Sequence, residues 1–178
     1  MDIKETSFSG VKIIINDLHK DKRGIFCKTF NKKIFKDIGL KFEFKESFYS
    51  VSSKNVIRGM HFQLPPYEHD KIVFVPKGKI LDVVLDLRKK SKTFGQYFSI
   101  ELSEDNKNSI YIPKGFAHGF KALINNSLTI YFTSTAYEAK YDYGIKWDSF
   151  GMDWKIKNPI ISNKDNNLKN LYEFESPF

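Results

Sequence analysis

Four side chains in the sequence are of types that move protons: His61 in RGMHFQ, Lys71 in HDKIVFV, His118 in PKGFAHGF and Tyr131 in LTIYFTSTAY. An imidazole, with an ordinary pKa of about 6.5, is a natural general base at neutral pH. An ammonium stabilises an enolate oxygen as charge develops on it. A phenol, protonated up to a pKa of about 10, can return a proton from the other side. His61, Lys71 and Tyr131 together would suffice to remove and replace a proton beside a carbonyl. The same residue types also serve as ordinary packing residues, so type alone leaves both readings open.

These side chains must be held by strands. From Phe42 onward the chain reads as FEFKESFYSV, HDKIVFV, KILDVVLDLR, QYFSIEL, SIYIP, GFKALI and LTIYFTSTAY, separated by Lys-Gly and Asn-Asn turns. Such short runs of Val, Ile, Phe and Tyr predict an all-β antiparallel jelly roll with short peripheral helices. NKKIFKDIG, with Ile34, Phe35 and Ile38 on one side and Gly39 as a stop signal, predicts one of those helices. After Tyr137 the pattern loosens into loop with one or two short helices. Alternation puts Leu81, Val83, Leu85 and Leu87 on one face of their strand, with Asp82, Val84, Asp86 and Arg88 on the other. Thr129, Tyr131, Thr133, Thr135 and Tyr137 share a face on which every residue carries a hydroxyl. Either polar face alone is expected to meet water; two of them in one apolar barrel favour a polar cavity.

At 178 residues, with 41% hydrophobic and 16% aromatic residues, the chain is expected to form a single domain over 1–178. Its one cysteine, Cys27, excludes an intrachain disulfide and reads as a small core filler in a reducing cytoplasm. No apolar run is long enough to span a bilayer, so no membrane partner is expected. The net charge of +8 comes from scattered lysines. These read first as a solvated surface and second as a preference for a phosphate-bearing ligand; no nucleic-acid-binding pattern appears.

RGMHFQ and PKGFAHGF resemble the metal-binding cupin motifs, but the ligand set is incomplete. Gln63 stands at the second histidine position and Lys71 at the glutamate position. An ammonium has no lone pair and repels a cation, so no metal is expected.

RGMHFQLPP, DKIVFV, LDVVLDLRKKSKTFG and IPKGFAHGF resemble the nucleotide-sugar 3,5-epimerases of the RmlC type, known best as dTDP-4-dehydrorhamnose 3,5-epimerases. The likeness runs in order from DKRGIFCKTF near Asp21 to ISNKD at Ile161. It implies a cupin-fold homodimer without metal or organic cofactor, each nucleotide site being completed by the neighbouring subunit. It also implies roles. His61 falls at the general base, Asp165 at the carboxylate that orients it, and Tyr131 at the general acid. Lys71, with His118 and Asp82, falls at positions that support the 4-keto group. Arg58 and Arg23 match pyrophosphate and nucleotide contacts, Phe26 and Gln63 match substrate-binding positions, and Tyr137 matches a second cavity tyrosine.

Departures from the family pattern gather at the nucleotide. Lys28 replaces a glutamate, and Glu46 and Phe48 replace a glutamine and an asparagine, while Ser50 is kept. A carboxylate at Glu46 suits the N–H groups of guanine. The expectation is therefore a GDP-linked 4-keto-6-deoxy hexose or heptose destined for capsule or lipopolysaccharide, inverted at C3 or at both C3 and C5. Alternatives are a dTDP-linked substrate, a non-catalytic nucleotide-sugar-binding cupin, a metal-dependent cupin enzyme and a 3,4-ketoisomerase.

Overall fold

Branched and aromatic side chains at period two form strands, and the computed structural model, which describes residues 1–178, folds them into two facing antiparallel sheets. The strands are β1 (Asp2–Glu5), β2 (Lys12–Ile15), β3 (Asp17–Asp21), β4 (Gly24–Lys28), β5 (Glu46–Ser52), β6 (Ile57–Gln63), β7 (Lys71–Lys77), β8 (Lys79–Asp86), β9 (Tyr97–Ser103), β10 (Asn108–Ile112), β11 (Phe116–Ala122), β12 (Ser127–Thr133) and β13 (Asp142–Gly144). A six-stranded sheet runs β1-β2-β10-β7-β12-β5, a five-stranded sheet runs β13-β6-β11-β8-β9, and β3-β4 is a separate hairpin. This is the cupin-type jelly roll. The strands before β5 carry too little alternation to be read from sequence.

Three apolar layers hold the sheets. Val73, Val75 and Ile110 meet Ile80, Val84, Leu102 and Phe120 between them. Outside the five-stranded sheet, Val83 and Leu85 are covered by the C-terminal segment through Trp154, Phe174 and Phe178. Outside the other sheet, Ile14 and Ile72 pack on Phe35 of helix α1 (Lys32–Asp37), whose N-cap Asn31 accepts from the Ile34 N–H. Both faces of β8 are therefore buried. That overturns the expectation of a wet polar face: Asp82 and Asp86 are each 0% exposed. Asp86 is satisfied by Arg88, Ser91 and Thr93.

The hydroxyl-bearing face of β12 likewise turns inward. Thr129, Tyr131 and Thr133 are buried, while Leu128, Ile130 and Phe132 on the opposite face are only partly covered. The strand ends at Thr133, so Thr135 and Tyr137 follow in a turn instead of continuing it. Cys27 is half-buried on β4 and does not join the core.

Candidate active site

The opening between the sheets is a cavity of about 760 Å³. His61 enters it from β6. Its Nε2 lies 2.8 Å from Oδ1 of Asp165, in the short helix α2 (Asn163–Asn166). An ionised carboxylate has only acceptors to offer, so the proton sits on Nε2 and the lone pair on Nδ1. Burial pushes the Asp165 carboxyl up. The hydrogen bond and charge of His61, the Gly59 N–H at 3.1 Å and the Ser162 hydroxyl outweigh burial and hold it below its ordinary value. The backbone makes this possible because Gly59 has no side chain. At φ +122, a Cβ there would stand 2.5 Å from the Gly119 Cα on β11.

Tyr131 enters from β12, on the facing sheet. It is 6% exposed, and burial raises its pKa, keeping the phenol protonated. Its hydroxyl has Ser50 Oγ at 3.4 Å, and its ring stacks on Phe48 with centroids 4.6 Å apart and planes 18° apart.

Lys71 of β7 lines the same cavity, and its ammonium makes no hydrogen bond within the chain. Burial lowers its pKa to about 8 against the pull of Asp82 and Asp142. His118, directly across from His61 on β11, has Nε2 2.7 Å from Asp82 Oδ2. Burial keeps His118 below its ordinary pKa, aided by Lys71 and His61. Asp82 itself lies behind His118 and does not line the cavity; its Oδ1 is buried without a partner. The structure thus brings His61, Asp165, Tyr131, Lys71 and His118 to one cavity. No three His, Cys, Asp or Glu side chains converge as a metal-ligand group.

The rim is polar and cationic. Arg58 uses Nε on Ser52 Oγ at 3.1 Å, which leaves its terminal nitrogens for an anion. Lys164 and the Tyr137 hydroxyl both reach Asp142 Oδ2. Asp142 and Lys164 escaped the sequence reading, as did His69, which lines the wall with its pKa lowered by burial to about 3. Lys164 adjoins Asp165 in ISNKD and was findable from that; Asp142 sits in a strand of three residues, too short for alternation to mark.

The remaining candidates divide between the hairpin and the cavity wall. Arg23, Phe26 and Lys28 sit on or beside the exposed β3–β4 hairpin and do not line this chain's cavity; Arg23 pairs with Asp21. Gln63 lines the wall, but its amide is spent on backbone: Nε2 donates to Tyr67 and Ala136 carbonyls, and Oε1 accepts from the Glu138 N–H. The Glu46 carboxylate lines the cavity and accepts the Tyr137 N–H at 2.6 Å through one of its two oxygens.

Known proteins carry the same architecture. The sequence profile of the dTDP-4-dehydrorhamnose 3,5-epimerase family matches residues 5–173. A dTDP-4-dehydrorhamnose 3,5-epimerase of Shigella flexneri is 39% identical over 170 residues, covering 94% of both chains. One from Methanothermobacter thermautotrophicus is 41% identical over 174 residues, 95% of this chain and 94% of its own. The crystal structure of the Bacillus anthracis enzyme of that name, with TDP and PPi bound, superposes with a TM-score of 0.92 at 37% identity, over 96% of this chain and 99% of that one. These names carry dTDP, so the guanine expectation loses support from relatives. With His61 and Tyr131 on facing sheets of a shared fold, this chain belongs to the dTDP-4-dehydrorhamnose 3,5-epimerase family, isomerase-class enzymes of nucleotide-linked sugars.

Proposed function

We propose that the protein inverts C3 and C5 of a dTDP-linked 4-keto-6-deoxy sugar. The observation that carries the reading is the placement of His61 and Tyr131 on opposite walls of one cavity, with Lys71 lining it too. The C4 ketone acidifies the neighbouring C–H bonds. His61 Nδ1 takes the proton, and the C–H electrons pass to the ketone oxygen as an enolate, which the Lys71 ammonium stabilises. Tyr131 then donates its phenolic proton to the same carbon from the opposite face. Imidazolium and phenolate return to their starting states by proton exchange with water, and the cycle repeats at the second carbon. The step as written uses no metal or organic cofactor. Arg58 and Lys164 supply the cations that a diphosphate requires.

The working unit is a homodimer in which the β3–β4 hairpin completes the neighbouring site. This is supported by Arg23, Phe26 and Lys28 lying away from their own cavity, and by the exposed apolar side chains Phe26, Tyr49 and Val51. The setting we read is the cytoplasm, with the product passing toward surface polysaccharide such as capsule or lipopolysaccharide. No helix is long and apolar enough to cross a membrane.

Incubation with the dTDP-linked 4-keto-6-deoxy sugar in D2O tests the reading. Deuterium at inverted C3 and C5, followed by NMR, is the expected result. Exchange with the GDP-linked sugar alone would overturn the nucleotide assignment, and exchange at C3 alone would restrict the reaction to one carbon.

A further inference from the structure

The hydroxyl of Tyr131 is not what fixes its ring. Ser50 Oγ is 3.4 Å away, longer than the roughly 2.5–3.0 Å of a good O–H···O bond, and the Thr129 hydroxyl, also near, makes no hydrogen bond of good geometry. The ring is held instead by aromatic contacts. His118 meets it edge-on at 6.0 Å and 71°, while Phe48 lies nearly parallel at 4.6 Å and 18°. Phe48 and Tyr131 are direct cross-strand partners between β5 and β12, so the stack is built into the sheet register. Phe48 is 44% exposed, against 6% for the tyrosine it covers. An apolar ring left so open at a polar cavity contributes little to the core, yet it removes one face of Tyr131 from water.

We propose that Phe48 is the positioning residue of the general acid: its ring fixes the plane of Tyr131 so that the phenolic O–H points at the substrate carbon from the face opposite His61. This rests on the epimerase reading above. It replaces the expectation that Phe48 touches the nucleobase. The enolate has two fates, and Phe48 governs the partition between them. Return from His61, once its imidazolium has exchanged its proton with D2O, restores the starting stereochemistry with solvent deuterium incorporated. Delivery from Tyr131 gives the inverted product. Loosening the acid slows the second path and leaves the first intact.

The test compares Phe48→Ala and Phe48→Tyr with the unsubstituted protein on the dTDP-linked 4-keto-6-deoxy sugar in D2O. Deuterium is counted separately in recovered substrate and in inverted product. Phe48→Ala is expected to lower kcat for inversion about 10- to 100-fold, the range of a mispositioned catalytic group, with KM little changed. The ratio of deuterated substrate to product should rise by a similar factor. Phe48→Tyr retains a ring to stack and should restore the ratio. A Phe48→Ala variant with an unchanged ratio, or with raised KM and unchanged kcat, would overturn the proposal and make Phe48 a substrate contact. Should Phe48→Ala fold poorly, Phe48→Leu, which keeps apolar volume without a flat ring, gives the same discrimination. Absence of exchange in the unsubstituted protein would instead sink the epimerase reading on which the proposal rests.

Discussion

Asp165 reaches across 104 residues of chain to place its carboxylate 2.8 Å from His61 Nε2. That bond decides which imidazole nitrogen keeps a free lone pair, because a carboxylate accepts and never donates when ionised. Asp165→Asn keeps the shape but can present an N–H to Nε2, favouring the wrong tautomer. A kcat about 10²- to 10⁴-fold lower, with KM little changed, is expected from steady-state assay. Wild-type turnover in this variant would remove Asp165 from the mechanism.

In the proposed mechanism, Lys71 sets an alkaline limit to the reaction. Burial lowers its pKa to about 8, so its charge is present below that pH and lost as pH rises through it. The pH profile of kcat/KM, which reports the free enzyme, should fall tenfold per pH unit above that point. Lys71→Met should lower kcat by about 10²- to 10³-fold, the loss typical of a removed oxyanion donor. A profile that stays flat well above the Lys71 pKa would contradict the role.

Glu46 tests the fate of the guanine expectation. Its carboxylate holds the Tyr137 N–H, and Tyr137 stands on the cavity rim. Glu46→Ala should raise KM about 3- to 10-fold, the equivalent of one lost hydrogen bond, while Glu46→Gln retains an acceptor and stays near wild type. Nucleotide titration should show the same preference for dTDP over GDP in all three proteins. A preference that shifts in the variants would return Glu46 to the base pocket.

Gly59 links fold to site. Its N–H serves Asp165, and β11 leaves no room for a Cβ. Gly59→Ala combines a backbone clash with a left-handed φ, which together should cost about 3 kcal/mol or more of stability. Urea unfolding measures it; an unchanged midpoint would mean that β6 and β11 can separate cheaply.

The jelly roll was legible because its strands alternate, and the gathering of His61, Lys71 and Tyr131 at one cavity because they stand in motifs that resemble the epimerase family. Which side each polar face takes was not. Taken alone, the Asp82 face and the hydroxyl row of β12 each suggest water; only the pair points to a cavity, and Asp82 lies behind its lining. Glu46 and Phe48 both line the cavity, and both also have partners within the chain. A carboxylate and a ring beside an expected nucleotide suggest ligand contacts, but their partners, the Tyr137 N–H and the Tyr131 ring, come from another strand and its following turn. Arg23, Phe26 and Lys28 belong to a hairpin that does not line this chain's cavity, a placement that local pattern alone does not reveal.

The most direct test of the central claim sets His61→Ala against Tyr131→Phe on the dTDP-linked 4-keto-6-deoxy sugar in D2O. With base and acid on opposite walls, His61→Ala should abolish both exchange and inversion. Tyr131→Phe should still wash deuterium into recovered substrate while forming little inverted product. Equal loss of exchange and inversion in Tyr131→Phe, or undiminished inversion in either variant, would contradict the two-wall mechanism.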